Sequence, residues 1–419
     1  MTQVHLTANL NELIGHITSS NLSESIKAMV VVILNAYMEA ERDEFIQAAH
    51  HERNLVRVDH RNGYYDRELV LSFGKIKLHV PRTRSGEFAT TIFEKYSRME
   101  QSLLVGICEA VIQGVSTRKV TEVVEQLYGC GVSKSFVSNV MKRLDPEIEA
   151  FQNRPLDGTD YPFVFVDAMY FKQIEDGHSK SKALYIAQAT NKDRKREIIG
   201  LMVGSEESTA NWTKFFQSLK DRGLESPKLI ISDAHQGIIA AIRQVYLSSP
   251  WQRCTVHFLR NLCEGLPKNK YQYERRLLAD IFQKQTKEEV FAARRAFETV
   301  VKDNPRFVKI LDKLEQGFSD AIQYLEFPEP YWPSIRSTNS LERTNGTIRQ
   351  RFKIIPLFPN EASAVRLAGS ILMDEHDKWQ KSNCRFLKTT AEAEEIERQN
   401  KEKEARREAR KAERAAQGR

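Results

Sequence analysis

The chain has 419 residues, 41% hydrophobic and 28% charged, with a formal net charge of +7. That length predicts roughly two to four folded units, and the charge permits a nucleic-acid partner without requiring one. Its five cysteines, Cys108, Cys130, Cys254, Cys263 and Cys384, form no CxxC pair, which excludes a disulfide framework and fits a reduced, cytoplasmic protein.

The N-terminus lacks the basic-then-apolar order of a signal peptide. The longest apolar run, Ala28 to Met38, is too short to cross a bilayer, so no membrane partner is expected. Residues 1–50 read as helical, with Asn21 or Ser23 as a cap and a helix running to about His50. Next, Glu68 to Phe73 and Ile76 to Val80 alternate on either side of a Gly74-Lys75 turn, which predicts a β-hairpin. Arg61, Arg67, Arg82 and Arg84 flank it, and Pro81 is expected to stop its second strand.

Helical patterning returns over 95–150. A helix through Arg118, Lys119 and Val123 to Tyr128 meets a Gly129-Cys130-Gly131 turn. A second helix then opens at Ser133-Lys134-Ser135, making a helix-turn-helix candidate, although such pairs are also plain connectors. From 160 to 257 strands dominate, with candidates at 162–173, 181–190 and 196–203 and turns at Asp176-Gly177 and Asn191-Lys192-Asp193. A helix at Ala210–Arg222, a strand at 228–232, a helix at 237–247 and a strand near 252–257 follow. That order predicts a mixed sheet, an antiparallel meander followed by βαβ crossovers, with a site at the carboxyl ends of its central strands. Residues 258–335 read as wholly helical. The tail from about 390 is almost all Ala, Glu, Lys, Arg and Gln, a solvated helix or a disordered segment.

Three acids at element ends carry the chemistry. Asp167 closes the run Phe163 to Val166, Asp233 closes Lys228 to Ser232, and Glu342 lies on a helix starting near Asn339. Converging carboxylates hold hard divalent cations, and two such cations can clamp the attacking and leaving oxygens of a phosphoryl transfer. Each acid also has a plain structural role open to it. Asp167 suits a turn, Asp233 an Asx turn or helix cap, and Asn339-x-x-Glu342 a capping box. Cys254-x-x-His257 sits near a strand end. A closed zinc site needs four ligands, and only the scattered Cys263 and His235 remain, so packing or hydrogen bonding beside the active site is the expected role. Trp212 reads as core, with stacking on a flipped base the lesser alternative. Arg343, Arg349, Arg351 and Lys353 follow Glu342 as a solvated face or as phosphate contacts.

Over roughly residues 50–380 the chain resembles the Mutator-like family of bacterial insertion-sequence transposases. The resemblance rests on Arg61-Asn62-Gly63-Tyr64 with Val80-Pro81-Arg82, Val166-Asp167-Ala168-Met169-Tyr170, and Trp212 with Leu219 to Leu224. It continues through Ser232 to Gly237, Cys254-Thr255-Val256-His257 and Thr338 to Arg343, all in the family's order. It implies an α/β catalytic core, a ribonuclease-H-like mixed sheet with an all-α insertion, preceded by a helical and β-hairpin DNA-binding region. The implied DDE triad is Asp167, Asp233 and Glu342, which would also hold two magnesium or manganese ions, with Cys254, His257 and His235 as support. DNA contacts are expected from Arg61, Arg67, Arg82, Arg84, Arg118, Lys119, Lys134, Ser135, Arg343, Arg349, Arg351 and Lys353.

The expected segments are 1–55 helical, 56–95 hairpin, 96–155 helix-turn-helix-like, 156–257 and 336–385 core, 258–335 helical insertion and 386–419 charged tail. The implied partners are double-stranded DNA with terminal inverted repeats, target DNA and a second copy in a homodimer. The implied route runs through a circular DNA intermediate, in the bacterial cytoplasm at the nucleoid. A structure-specific nuclease or resolvase on the same fold, and a DNA-binding regulator without catalysis, are the alternative readings. The chain departs from the family at Asp193-Arg194-Lys195, where a Gly is usual.

Overall fold

The computed structural model describes residues 22–49, 52, 55–71, 74–95, 101–128, 132–267, 269–396 and 398. The chain divides into two compact units, Met1–Arg143 and Leu144–Arg419. No helix among the described residues is long and apolar enough to cross a membrane.

In the first unit, helix α1 (Leu22–Ile46) packs on a hairpin of β1 (Arg61–Leu71) and β2 (Gly74–Thr83). Alternation puts Leu69, Leu71, Ile76, Leu78 and Val80 on the inner face, where they meet Met38 and Ile92. Three expectations change here. Ser23 lies inside α1 and not at the position before it, while Asn21 falls outside the described residues. Leu71 pairs directly with Gly74, so Gly74-Lys75 belongs to the strand, and residues 72–73 between the two strands lie outside the described residues. Pro81 does not stop β2. It pairs with Tyr64 beside an irregularity in β1, where a missing N–H is tolerated on a two-stranded sheet. Short α2 (Ile92–Lys95) follows, then α3 (Gln101–Ile112), α4 (Thr117–Tyr128) and α5 (Lys134–Met141). Ser116 Oγ accepts from Lys119 N at 3.2 Å and Ser133 Oγ from Phe136 N at 3.0 Å, capping α4 and α5. The turn expected at 129–131 lies outside the described residues.

The second unit opens with α6 (Asp145–Asn153) and is built on a five-stranded sheet. Strands β3 (Phe163–Glu175), β4 (His178–Thr190) and β5 (Arg196–Gly204) form the antiparallel meander. Asp176-Gly177 turns the first hairpin with φ of 54° and 76°, the left-handed pair that this dipeptide favours. At the second turn Arg194 takes φ of 61°, the conformation a glycine would adopt freely. The loop holds it: Asn191 Oδ1 accepts from Asp193 N and Lys195 N, and Arg194 Nη1 reaches Glu392 at 2.5 Å.

Helix α7 (Thr209–Asp221) crosses to β6 (Leu229–Ser232), and α8 (Gln236–Val245) crosses to β7 (Trp251–Arg253). Both crossovers are parallel, giving the order β5-β4-β3-β6-β7. Trp212, Phe215, Phe216 and Leu219 of α7, with Ile238 and Ile242 of α8, cover one face through Val164, Val166, Tyr185 and Ile230. Strand β7 is shorter than expected. Thr255 already starts α9 (Thr255–Leu262), so Cys254 and His257 sit at a helix start and not at a strand end. From there to residue 335 the described chain is helical: α10 (Gln272–Ile281), α11 (Lys287–Val301), α12 (Val308–Ala321) and α13 (Trp332–Ile335), with 3₁₀ turns between. Helix α14 (Asn339–Phe352) then packs against β3, and α15 (Glu361–Lys381) against β5.

Candidate active site

Pleating sends successive β3 side chains to opposite faces. Val164 and Val166 enter the core under α7 and α8, while Phe165 meets Phe386 and Phe171 meets Phe352 of α14 and Phe358 beyond it. Asp167 shares that second face, and α14 meets it there. Its position differs from the expected strand end. β3 continues to Glu175, but the parallel pairing with β6 stops at Phe165 and Ile231. The apolar run therefore ends where β3 loses a neighbour, and Asp167 lies two positions beyond. Asp233 does end its strand. Its Oδ1 accepts from His235 N at 3.2 Å, so the Asx turn is present and opens α8.

Both oxygens of Asp167 are engaged. Ala168 N donates to Oδ1 at 2.9 Å and Asn345 Nδ2 to Oδ2 at 2.7 Å. Burial and the negative charge of Asp233 push the Asp167 carboxyl up to about 6, against the opposing pull of His257 and of these two donors. Asp233 thus lies close enough for its charge to act on Asp167.

Glu342 does not make the capping box. The N-cap of α14 is Thr338 with no side-chain cap, and the Glu342 backbone simply donates to Thr338 O at 2.8 Å. Its carboxylate instead meets His257 Nε2 at 2.8 Å. The Cys254 sulfur lies against the same ring. His257 Nδ1 has no hydrogen-bond partner among the described residues, and Cys254 is the main influence raising the histidine pKa, ahead of Glu342 and Asp167 and against burial. Cys254 is fully buried and accepts from Thr338 N at 3.4 Å and Thr338 Oγ1 at 3.3 Å. Burial pushes the thiol up, but His257 and Thr338 outweigh it and bring it below its ordinary value. Thr255 adds two bonds, from N and Oγ1, to Arg336 O at 3.0 Å each. The Cys-x-x-His stretch therefore stitches the start of α9 to the start of α14 and faces Glu342 with an imidazole whose pKa is raised.

Asp167 and Asp233 are hard oxygen donors whose repulsion a divalent cation would relieve. Among the described residues no group of three or more His, Cys, Asp or Glu side chains is already arranged to hold a metal. Glu342, turned to His257, would have to leave that ring to complete such a set. His235 Nδ1 stands 3.6 Å from Glu207 Oε1, beyond hydrogen-bond reach. Glu207 is a fourth acid in the field of Asp233, raised first by burial, and was not visible from sequence. Asn345 was also missed, although its i+3 spacing from Glu342 marks a shared helix face. Trp212 is fully buried against Tyr185, with ring centroids 4.6 Å apart, and offers no face to a base.

The basic residues are spread over both units. Arg61 is tied to Asp43 at 2.6 Å and to Ala48 O at 2.7 Å. Arg67 lies 3.8 Å over the Phe93 ring and Arg82 4.5 Å over Tyr65. Lys119 meets Glu122 at 3.4 Å, while Arg84, Arg118, Lys134 and Ser135 are exposed. On α14, Arg343 and Arg349 are exposed, Arg351 is half-buried, and Lys353 is an exposed C-cap.

Relatives give the class. The chain is 42% identical over 390 residues to the transposase for insertion sequence element IS256 in transposon Tn4001 of Staphylococcus aureus, spanning 92% of this chain and 99% of that one. It is 34% identical over 360 residues to the ISRM5 transposase of Rhizobium meliloti, spanning 86% and 90%. It is 33% identical over 380 residues to the IS1081 transposase of Mycobacterium tuberculosis, spanning 90% and 91%. These are insertion-sequence transposases. The profile of the family described as Transposase, Mutator family matches residues 1–382, and the chain belongs to that family, as the sequence motifs indicated.

Proposed function

We propose that the chain is a DNA transposase that cleaves and joins strands at the terminal inverted repeats of an insertion sequence. The observation that carries this reading is the placement of Asp167 on β3 and Asp233 just past the end of the neighbouring parallel strand β6, close enough for the Asp233 charge to act on Asp167, with α14 bringing Glu342 to the same region. The antiparallel meander with two parallel crossovers supports a ribonuclease-H-like core. Asp167 and Asp233 would hold a divalent cation, with Glu342 completing the set after leaving His257. When bound, magnesium or manganese supplies Lewis acidity to the phosphodiester and its leaving oxygen. Asn345 and Ala168 N orient Asp167, while His257 holds the Glu342 carboxylate. Arg343, Arg349 and Lys353, on the helix that carries Glu342, hold DNA phosphates.

The first unit binds the element ends through α4 and α5, acting as a helix-turn-helix, and through the basic hairpin. The working form is a homodimer, and the excised element passes through a circle. The test is strand cleavage and joining on a plasmid carrying the element's ends, with Mg2+ or Mn2+. Both activities are expected in the parent and neither in Asp167→Ala or Glu342→Ala. Full activity in either variant sinks the triad. Cleavage without joining points to a resolvase, and metal-independent binding without any cleavage points to a regulator.

A further inference from the structure

The seam between α14 and the sheet is polar where an apolar one would be more stable. Asn345 is fully buried and spends its Nδ2 on Asp167. Gln188 of β4 is fully buried too, and its Nε2 donates to Ser340 Oγ at 3.0 Å. The carbonyl oxygens of both amides, Asn345 Oδ1 and Gln188 Oε1, are buried without a hydrogen-bond partner among the described residues. Each such orphan is destabilising, so stability alone does not explain two of them along one seam. What they provide is register. An apolar helix face can slide along a sheet, whereas a helix held by two directional bonds cannot.

Glu342 and Asn345 are three residues apart on α14 and project to one side of it. The first reaches His257 on α9 and the second reaches Asp167 on β3. Asp167 accepts one bond on each oxygen, which fixes its rotamer and leaves one lone-pair direction per oxygen for another partner. We propose that Asn345 is a positioning residue of the cation site: its amide locks the Asp167 carboxylate and the register in which α14 presents Glu342. Donors of this kind behind a metal-binding carboxylate tune affinity without touching the ion. The inference rests on the metal-dependent chemistry proposed above.

The test uses full-length protein with Asn345→Ala and the volume-matched Asn345→Leu. Thermal unfolding is followed across a Mn2+ titration without DNA, beside binding of an element-end duplex in EDTA and plasmid cleavage. In both variants half-maximal stabilisation and half-maximal cleavage should need about 10–100-fold more Mn2+. Duplex binding in EDTA should match the parent. Variants that titrate like the parent overturn the inference and leave the transposase reading standing. A parent that Mn2+ neither stabilises nor activates overturns both. If both variants lose their cooperative unfolding transition before metal is added, Asn345 is a folding residue and the inference fails.

Discussion

Asp167 is held by two donors and still carries a raised pKa, so its charged form is disfavoured in the folded chain without metal. A carboxyl at about 6 when folded, above its unfolded value, contributes stability that is present at low pH and lost as pH rises through about 6. Asp167→Asn should therefore stabilise the protein by about 1–3 kcal/mol in EDTA at pH 8, an effect that fades below about pH 4. Cleavage should be abolished in the same variant. Thermal unfolding at the two pH values checks the first half, and a gain of equal size at pH 4 would refute the assignment of cause. Asp233 was legible because its strand truly ends there. Asp167 was found for a partly mistaken reason, since the apolar run marks the loss of β6 as a neighbour while β3 runs on. Glu342 could not be resolved locally. Its helix start is set at Thr338 by Cys254, a residue 84 positions away.

The join between α9 and α14 depends on Cys254, which accepts from Thr338 N and Oγ1. Cys254→Ala leaves the buried Thr338 N and Oγ1 without an acceptor and should cost about 1–3 kcal/mol. Cys254→Ser keeps an acceptor and should lose less. Denaturant midpoints at constant slope measure both, and an Ala variant as stable as the Ser variant would refute the stitch. A second close approach lies where α7 crosses β5. A Cβ at Gly200 would stand 2.8 Å from the Phe215 ring and 2.9 Å from Leu219 Cδ2, so Gly200→Ala should cost about 1–3 kcal/mol by overpacking. The meander and the helix-linked strands after it were readable in chain order because Asp-Gly turns and period-two alternation are local signals. The start of α9 was not. Thr255-Val256 has strand-like propensity, yet tertiary packing against Arg336 and Thr338 places it in a helix. Pro81 misled for a similar reason, since its missing N–H costs little on a two-stranded sheet.

For the molecule as a whole, a net charge of +7 over 419 residues leaves DNA affinity to local clusters and not to a uniform field. Charge already spent within the fold contributes less. Arg61 is held by Asp43 and Lys119 by Glu122, whereas Arg118 and Lys134, near the starts of α4 and α5, are exposed. If those two reach phosphates, each contributes to counterion release. Arg118→Ala with Lys134→Ala should then weaken binding to element-end and unrelated duplex alike. The slope of log affinity against log salt should become shallower by about 0.9 per residue. Asp167→Asn, which alters the chemistry in the second unit, should leave that slope unchanged while removing cleavage. Titrations over a range of salt concentrations separate the two effects. An unchanged slope in the Arg118 and Lys134 double variant would move the DNA-binding surface away from the starts of α4 and α5. The exposed Arg84 of the hairpin and Arg343 and Arg349 of α14 would then be the next bases to neutralise.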